Sequence, residues 1–226
     1  MPTIWGIVGW VAAVALVLLL VATNVRTTAN SLWLYEHLFE RNHVPERTGI
    51  TMIELRKVGA TIQDYFGNDT EPLVVVAEIH GAPISLFGSD EASHMADVKQ
   101  LFAKTYRVQV ISGLVLATSI AAAWYRRRRS GFDMIGLWLS RGSIIAAAAI
   151  ATIGVASVLA FQQVFLLFHY IGFPGGNFTF STTTDYLVQV FPNAFWSDIT
   201  FVIGSMTMAE AVLLWGIVWA VRRFRR

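Results

Sequence analysis

Residues 143–169, SIIAAAAIATIGVASVLAFQQVFLLFH, decide the class of fold. The stretch carries no Asp, Glu, Lys or Arg, and about 20 helical residues at ~1.5 Å each suffice to cross roughly 30 Å of hydrocarbon. It therefore reads as a membrane-spanning helix with length to spare. The excess allows a tilt, or carries its last turn, with Phe168 and His169, into the interface. Three further stretches, residues 3–23, 108–125 and 199–221, meet the same test. Residues 108–125 are short for a span, and Tyr106, Trp124 and Tyr125 are placed to set their depth as interfacial aromatics do. Composition agrees: with 55% hydrophobic and 14% charged residues among 226, the chain is too apolar for a water-solvated surface, and the bilayer must supply part of the solvent.

The charges are sorted along the chain. Arg126 to Arg129 and Arg141 fall in the connection 126–142, and Arg222, Arg223, Arg225 and Arg226 fill the tail 222–226. Short basic segments stay in the cytoplasm. The segment 24–107 holds eight basic and eleven acidic residues, and is long enough to translocate largely regardless of charge, so it is expected outside. Residues 1–2 are then cytoplasmic, and the apolar run behind them lacks both a basic leader and a clear small-residue cleavage site, as an uncleaved anchor does. The expected fold is a membrane all-α bundle of four transmembrane helices, with an extracytoplasmic α+β domain, helices plus a β-hairpin, between helices 1 and 2. A second outer segment covers residues 170–198.

Within the outer domain, Met52, Ile53, Leu55, Val58, Ile62 and Tyr65 recur at helical spacing over residues 51–66, with Gly67-Asn68 as a stop. An earlier helix is expected over 30–41, ended by Pro45 and Gly49. After Pro72, the runs Leu73-Val74-Val75-Val76-Ala77 and Ile84-Ser85-Leu86-Phe87, separated by Gly81-Ala82-Pro83, predict a hairpin. Gly88-Ser89-Asp90 offers an N-cap for a helix beginning near Glu91. In the second outer segment, Gly172, Pro174, Gly175 and Gly176 force a turn above the third span, and residues 185–191 predict a short amphipathic piece.

The chain has no cysteine, which excludes disulfides, a thiol nucleophile and a thiolate zinc site. It has no H-E-x-x-H, no G-x-S-x-G elbow and no phosphate-cradling glycine loop. Nothing suggests nucleotide or nucleic-acid chemistry, and no cofactor or metal is expected. Five histidines remain, His37, His43, His80, His94 and His169, all outside on this topology. His94 has Glu91 and Asp97 at i−3 and i+3, on one helical face. A carboxylate there can fix the imidazole tautomer and raise its pKa, as a general base requires, although a surface charge cluster has the same spacing. His169 ends an apolar run, where an interfacial anchor competes with a chemical role. Glu210 falls near the middle of the fourth span, where an ionisable group is costly. Gln162, Gln163 or Ser157 are its expected partners, in a structural or cavity-lining role.

These residues also carry a family resemblance. Glu91-Ala92-Ser93-His94-Met95-Ala96-Asp97-Val98-Lys99, Phe165-Leu166-Leu167-Phe168-His169, Asp185-Tyr186-Leu187, Phe191-Pro192-Asn193-Ala194-Phe195-Trp196, Thr48-Gly49-Ile50, Glu54-Leu55 and Tyr65-Phe66 resemble, in order and spacing, the bacterial lipoprotein intramolecular transacylase family. The acidic-x-x-His-Met-x-Asp-Val run is the most specific of them. The resemblance implies an enzyme that moves the sn-2 acyl chain of a diacylglyceryl-modified lipoprotein to the α-amino group of its N-terminal cysteine, leaving a lyso-form product. It implies His94 and His169 as catalytic residues. Beside them the residues themselves offer Glu91 or Asp97 to orient His94, and Arg26 as a contact for substrate or oxyanion where a headgroup anchor is the plainer alternative. Lipoprotein substrates and membrane phospholipid are the implied partners, at the outer face of the bacterial cell membrane. A non-enzymatic sensor or assembly factor with an outer partner-binding domain is the competing reading, and a zinc hydrolase a third.

Overall fold

The computed structural model of the protein describes residues 4–225, and of residues 127–129 the backbone alone. The expected cytoplasmic start at residues 1–2, the first residue of the expected first span and the last of the basic tail lie outside the described residues. The elements run α1 (Ile4–Ala29), α2 (Leu32–Arg41), α3 (Val44–Thr48), α4 (Met52–Gly67), β1 (Val76–Ile79), β2 (Ala82–Ser85), α5 (Ser89–Gly172), α6 (Tyr186–Val190) and α7 (Asn193–Phe224). Among the described residues, four helical segments are long and apolar enough to cross a membrane: α1, α7, and two arms of α5, Ser89–Arg126 and Ser130–Gly172. The two arms belong to one run of helical hydrogen bonding. A straight helix would hold residues 94 and 169 about 110 Å apart, yet their rings meet at 6.0 Å, so the chain reverses between the arms.

The helices outrun the spans expected for them. Where a connecting loop was expected over 126–142, helix is present from Ser130 onward. Apolar side chains in that segment account for the difference: Trp138 is buried, with Met134, Ile135 and Leu139 packed beside it, which draws the segment into a core instead of leaving it to solvent. The first helix likewise continues past residue 23 to Ala29, and the last begins at Asn193.

Packing divides the chain into two compact units. The first comprises the chain up to Val25, Thr105–Val155 and the chain from Val202. Its core sets Ala12, Ala15 and Leu16 of α1 against Leu116, Ala123 and Trp138 of α5. Small residues let the backbones approach, as in lipid-embedded helices generally. At Gly142 a Cβ would stand 2.9 Å from the Ala13 carbonyl oxygen and 2.8 Å from Leu16 Cδ2. Polar groups are tied side chain to side chain. Asn24, 1% exposed, donates to Thr207 Oγ1 at 3.0 Å and to Glu210 Oε2 at 2.8 Å. Glu210 thus meets Asn24, where Gln162, Gln163 or Ser157 were expected; Gln162 instead accepts from Asn193 at 2.6 Å.

The second unit comprises Arg26–Lys104 and Ala156–Phe201. Ser31 caps α2 by accepting from Leu34 N–H, and Thr51 caps α4 by accepting from Glu54 N–H, each satisfying one of the donors a helix start leaves open. Pro45 does not merely break the chain. It sits in the first turn of α3, where its missing N–H costs nothing, and Gly49 at φ 72° ends that helix. The hairpin pairs Val76 with Ser85 and Ile79 with Ala82, so its turn is His80-Gly81, one residue earlier than expected. Both turn residues have positive φ, 52° and 81°, the geometry of a two-residue hairpin turn matching strand twist. Pro83 is tolerated because β2 is an edge strand. The core joins Tyr35 and Phe39 of α2 to Phe191 and Phe195, with Phe39 at 5.5 and 5.6 Å from their rings.

Candidate active site

α5 brings its two ends together within the second unit. The first arm is 38 residues long, about 57 Å of helix and nearly twice the hydrocarbon thickness, and its charged turns, with Asp90, Glu91, Asp97 and Lys99, lie on the part that need not enter lipid. His94 projects from these turns and is 6% exposed. His169 comes from the last turn of the second arm. The two imidazoles stand 6.0 Å apart, centroid to centroid, with planes 14° from parallel.

The nitrogens of the two rings are differently committed. His169 Nδ1 lies 2.8 Å from the Phe165 carbonyl oxygen. A carbonyl only accepts, so Nδ1 carries the proton and Nε2 is the nitrogen left for chemistry. His94 Nδ1 is buried without a hydrogen bond. The His94 pKa is pushed down to about 4, by burial first and by the neighbouring His169 second, while Asp97 and then Asn177 act to raise it.

Aromatic rings wall the pair. Phe173 packs 4.7 Å from His94 and 5.3 Å from His169, Phe180 lies 5.4 Å from His94, and Phe178 lies 5.3 Å from His169. The chain delivers these rings by turning directly after α5, with Phe173 N–H donating to the His169 carbonyl and Gly176 at φ 77°. Leu167 and Phe168, on the same turns as His169, are 59% and 51% exposed, an apolar surface that only lipid or another apolar body would solvate well. An open groove of about 420 Å³ lies elsewhere on the first turns of α5, lined by Leu73, Phe87, Ser93 and Ala96 among others; neither histidine lines it.

The three remaining residues singled out in the sequence take different places. Asp97 Oδ2 accepts from Asn177 Nδ2 at 3.0 Å. Glu91 is 6% exposed, and both its oxygens are occupied by backbone N–H groups, Gly88 and Leu187, each at 2.7 Å. It closes the start of α5 and fastens α6 to it, so its carboxylate serves the backbone instead of an imidazole. Arg26 stands exposed in the last turn of α1, its carbonyl accepting from Asn30. The residues that the sequence did not single out are Asn177, Phe173, Phe178 and Phe180. Their one signal was the glycine-rich turn after His169, which places an aromatic residue on either side of itself. Among the described residues no group of three His, Asp or Glu side chains is arranged to hold a metal ion.

Four apolar helices and a pair of facing histidines walled by aromatic rings define the chain as a membrane-integral protein. The profile of the family described as Lipoprotein intramolecular transacylase Lit matches residues 10–196. The chain belongs to that family, and so is a bacterial membrane acyltransferase that acts on lipoproteins. Solved structures of the membrane integral lipoprotein intramolecular transacylase Lit from Bacillus cereus share the fold. One has 15% identity and a TM-score of 0.81 over 97% of this chain and 96% of that one. Two others carry a histidine-to-arginine and a histidine-to-alanine mutation, both at 15% identity and TM-score 0.76, covering 97% of this chain and 92% and 94% of theirs. No curated protein sequence matches.

Proposed function

We propose that the chain moves the sn-2 acyl group of a diacylglyceryl-modified lipoprotein onto the α-amino group of the same lipidated cysteine, with His94 and His169 as the catalytic residues. The facing imidazoles, 6.0 Å apart in an aromatic pocket, carry this reading. The amine nitrogen forms a bond to the ester carbonyl carbon, the bond between that carbon and the glycerol sn-2 oxygen breaks, and one proton passes from nitrogen to the departing oxygen. His94, held neutral by burial, is the base that takes the proton from the attacking nitrogen. His169 acts through Nε2, its other nitrogen being held by Phe165, and in its protonated form it donates to the leaving oxygen or steadies the oxyanion.

Donor and acceptor sit on one substrate molecule, so proximity supplies much of the acceleration and no acyl-enzyme is needed. This is consistent with a chain that has no cysteine. Exposed Leu167 and Phe168 beside His169 suit an acyl chain of the lipoprotein substrate entering from a bilayer of phospholipid. The basic residues flanking the spans favour an active site on the extracytoplasmic side with both termini in the cytoplasm; the proposed partners include no nucleic acid. Mass spectrometry of lipoprotein N-termini from a bacterium with and without this chain tests the proposal. The N-acyl, S-monoacylglyceryl form should appear only with the active chain, and its appearance with both histidines replaced would refute the assignment.

A further inference from the structure

Asn177 touches the site from the loop behind it. Its Nδ2 donates to Asp97 Oδ2 at 3.0 Å and lies 3.5 Å from Ser93 Oγ. A carboxylate can only accept, so this contact settles which end of the amide faces Asp97. The other end, Oδ1, is an acceptor, and it is buried without a hydrogen bond. Asn177 also acts on His94, through both its side chain and its main chain. His94 Nδ1 is in turn buried without a hydrogen bond. Two orphaned polar atoms on interacting side chains are rare, because each costs about 1–3 kcal/mol when left unpaired. An acceptor oxygen can relieve a ring nitrogen only if that nitrogen bears hydrogen.

We infer that Asn177 is a positioning residue: anchored by Asp97, its Oδ1 holds the Nδ1–H tautomer of His94 and thereby leaves Nε2 as the bare nitrogen that accepts the substrate's proton. Glu91 is engaged elsewhere, each of its oxygens accepting from a backbone amide. Asp97 acts on the ring by its charge, and through its hold on Asn177 it also fixes the amide that orients the imidazole. Gly176, at φ 77°, directs the chain so that the next residue reaches α5. The inference rests on His94 being the base, as proposed above.

The test is 15N NMR of histidine-labelled protein in detergent micelles, with His94 assigned from the spectrum of His94→Gln. At a pH where the rings are neutral, His94 in the unaltered chain should carry its proton on Nδ1. In Asn177→Ala that preference should be lost, and kcat on a diacylglyceryl lipopeptide should fall about 10- to 100-fold while KM stays within about twofold. A purely structural role would instead lower thermal stability without moving the tautomer. An Nε2–H tautomer in the unaltered chain overturns the inference with no variant needed. So does an Asn177→Ala protein whose tautomer and kcat are unchanged. Retained acyl transfer in His94→Ala would refute the catalytic reading instead, and the tautomer spectrum distinguishes the two failures.

Discussion

His94 and His169 face each other at 6.0 Å, 14° from parallel, although they stand at opposite ends of the same helical run. Two imidazoles so close in a buried place do not both hold a positive charge at ease. The pair therefore carries at most one extra proton between them, which suits the proposed reaction, in which a single proton moves from an amine to an alkoxide.

Replacing either imidazole should stop that transfer. For His94→Ala and His169→Ala the expected loss in kcat is at least 10²- to 10⁴-fold, the usual range for a positioned acid or base. The measurement is single-turnover conversion of a diacylglyceryl lipopeptide, with circular dichroism showing that the helices remain. Turnover within threefold of the unaltered chain in either variant would remove that histidine from the mechanism.

The acid limb of the pH profile follows from the lowered pKa of His94. Its ordinary value is 6.5 and burial brings it to about 4, so the base stays unprotonated across the interval between them and activity declines only as pH falls toward the lower value. The same shift bears on stability. The folded chain binds fewer protons than the unfolded one in that interval, so stability is full above about 6.5 and is lost as pH falls through it. Asp97→Asn removes a group that raises the pKa, and should move the limb further down. A kcat profile with its acid midpoint at or above 6.5 would contradict this.

Glu91 should behave as a structural residue. Glu91→Gln keeps one acceptor oxygen for two backbone donors at 2.7 Å, and an unpaired buried N–H costs about 1–3 kcal/mol. The expected result is a lowered thermal midpoint in detergent with kcat changed less than threefold. A collapse of kcat at an unchanged midpoint would return Glu91 to a supporting role beside His94.

In the first unit, Gly142→Ala should destabilise without touching chemistry. The new methyl would stand 2.9 Å from a backbone oxygen, which cannot swing away as a side chain can, and overpacking of this kind costs about 1–3 kcal/mol. Thermal unfolding followed by tryptophan fluorescence reads it, and an unchanged or higher midpoint would show that the helices separate freely there.

Much of this was legible along the chain. Hydrocarbon admits only segments that satisfy their own backbone, so uninterrupted apolar stretches such as residues 143–169 announce spanning helices whatever surrounds them. The helical spacing of Leu55, Val58 and Ile62 revealed α4 for the same local reason. Element ends were less legible: the helix around Trp138 and the His80-Gly81 turn depend on burial and on backbone angles that a neighbour's packing selects.

The sequence alone therefore decided the membrane class, the four long apolar helices and the pairing of His94 with Asp97 on one helical face, because each follows from short-range periodicity or from transfer into lipid. Only the tertiary structure decided that His94 meets His169, that Glu91 is spent on the amide of Leu187, and that Asn177 donates to Asp97. Those contacts join residues 75 to 96 positions apart, and no spacing rule reaches so far, since the chain's reversal and the turn at Gly176 set which distant groups share a buried volume.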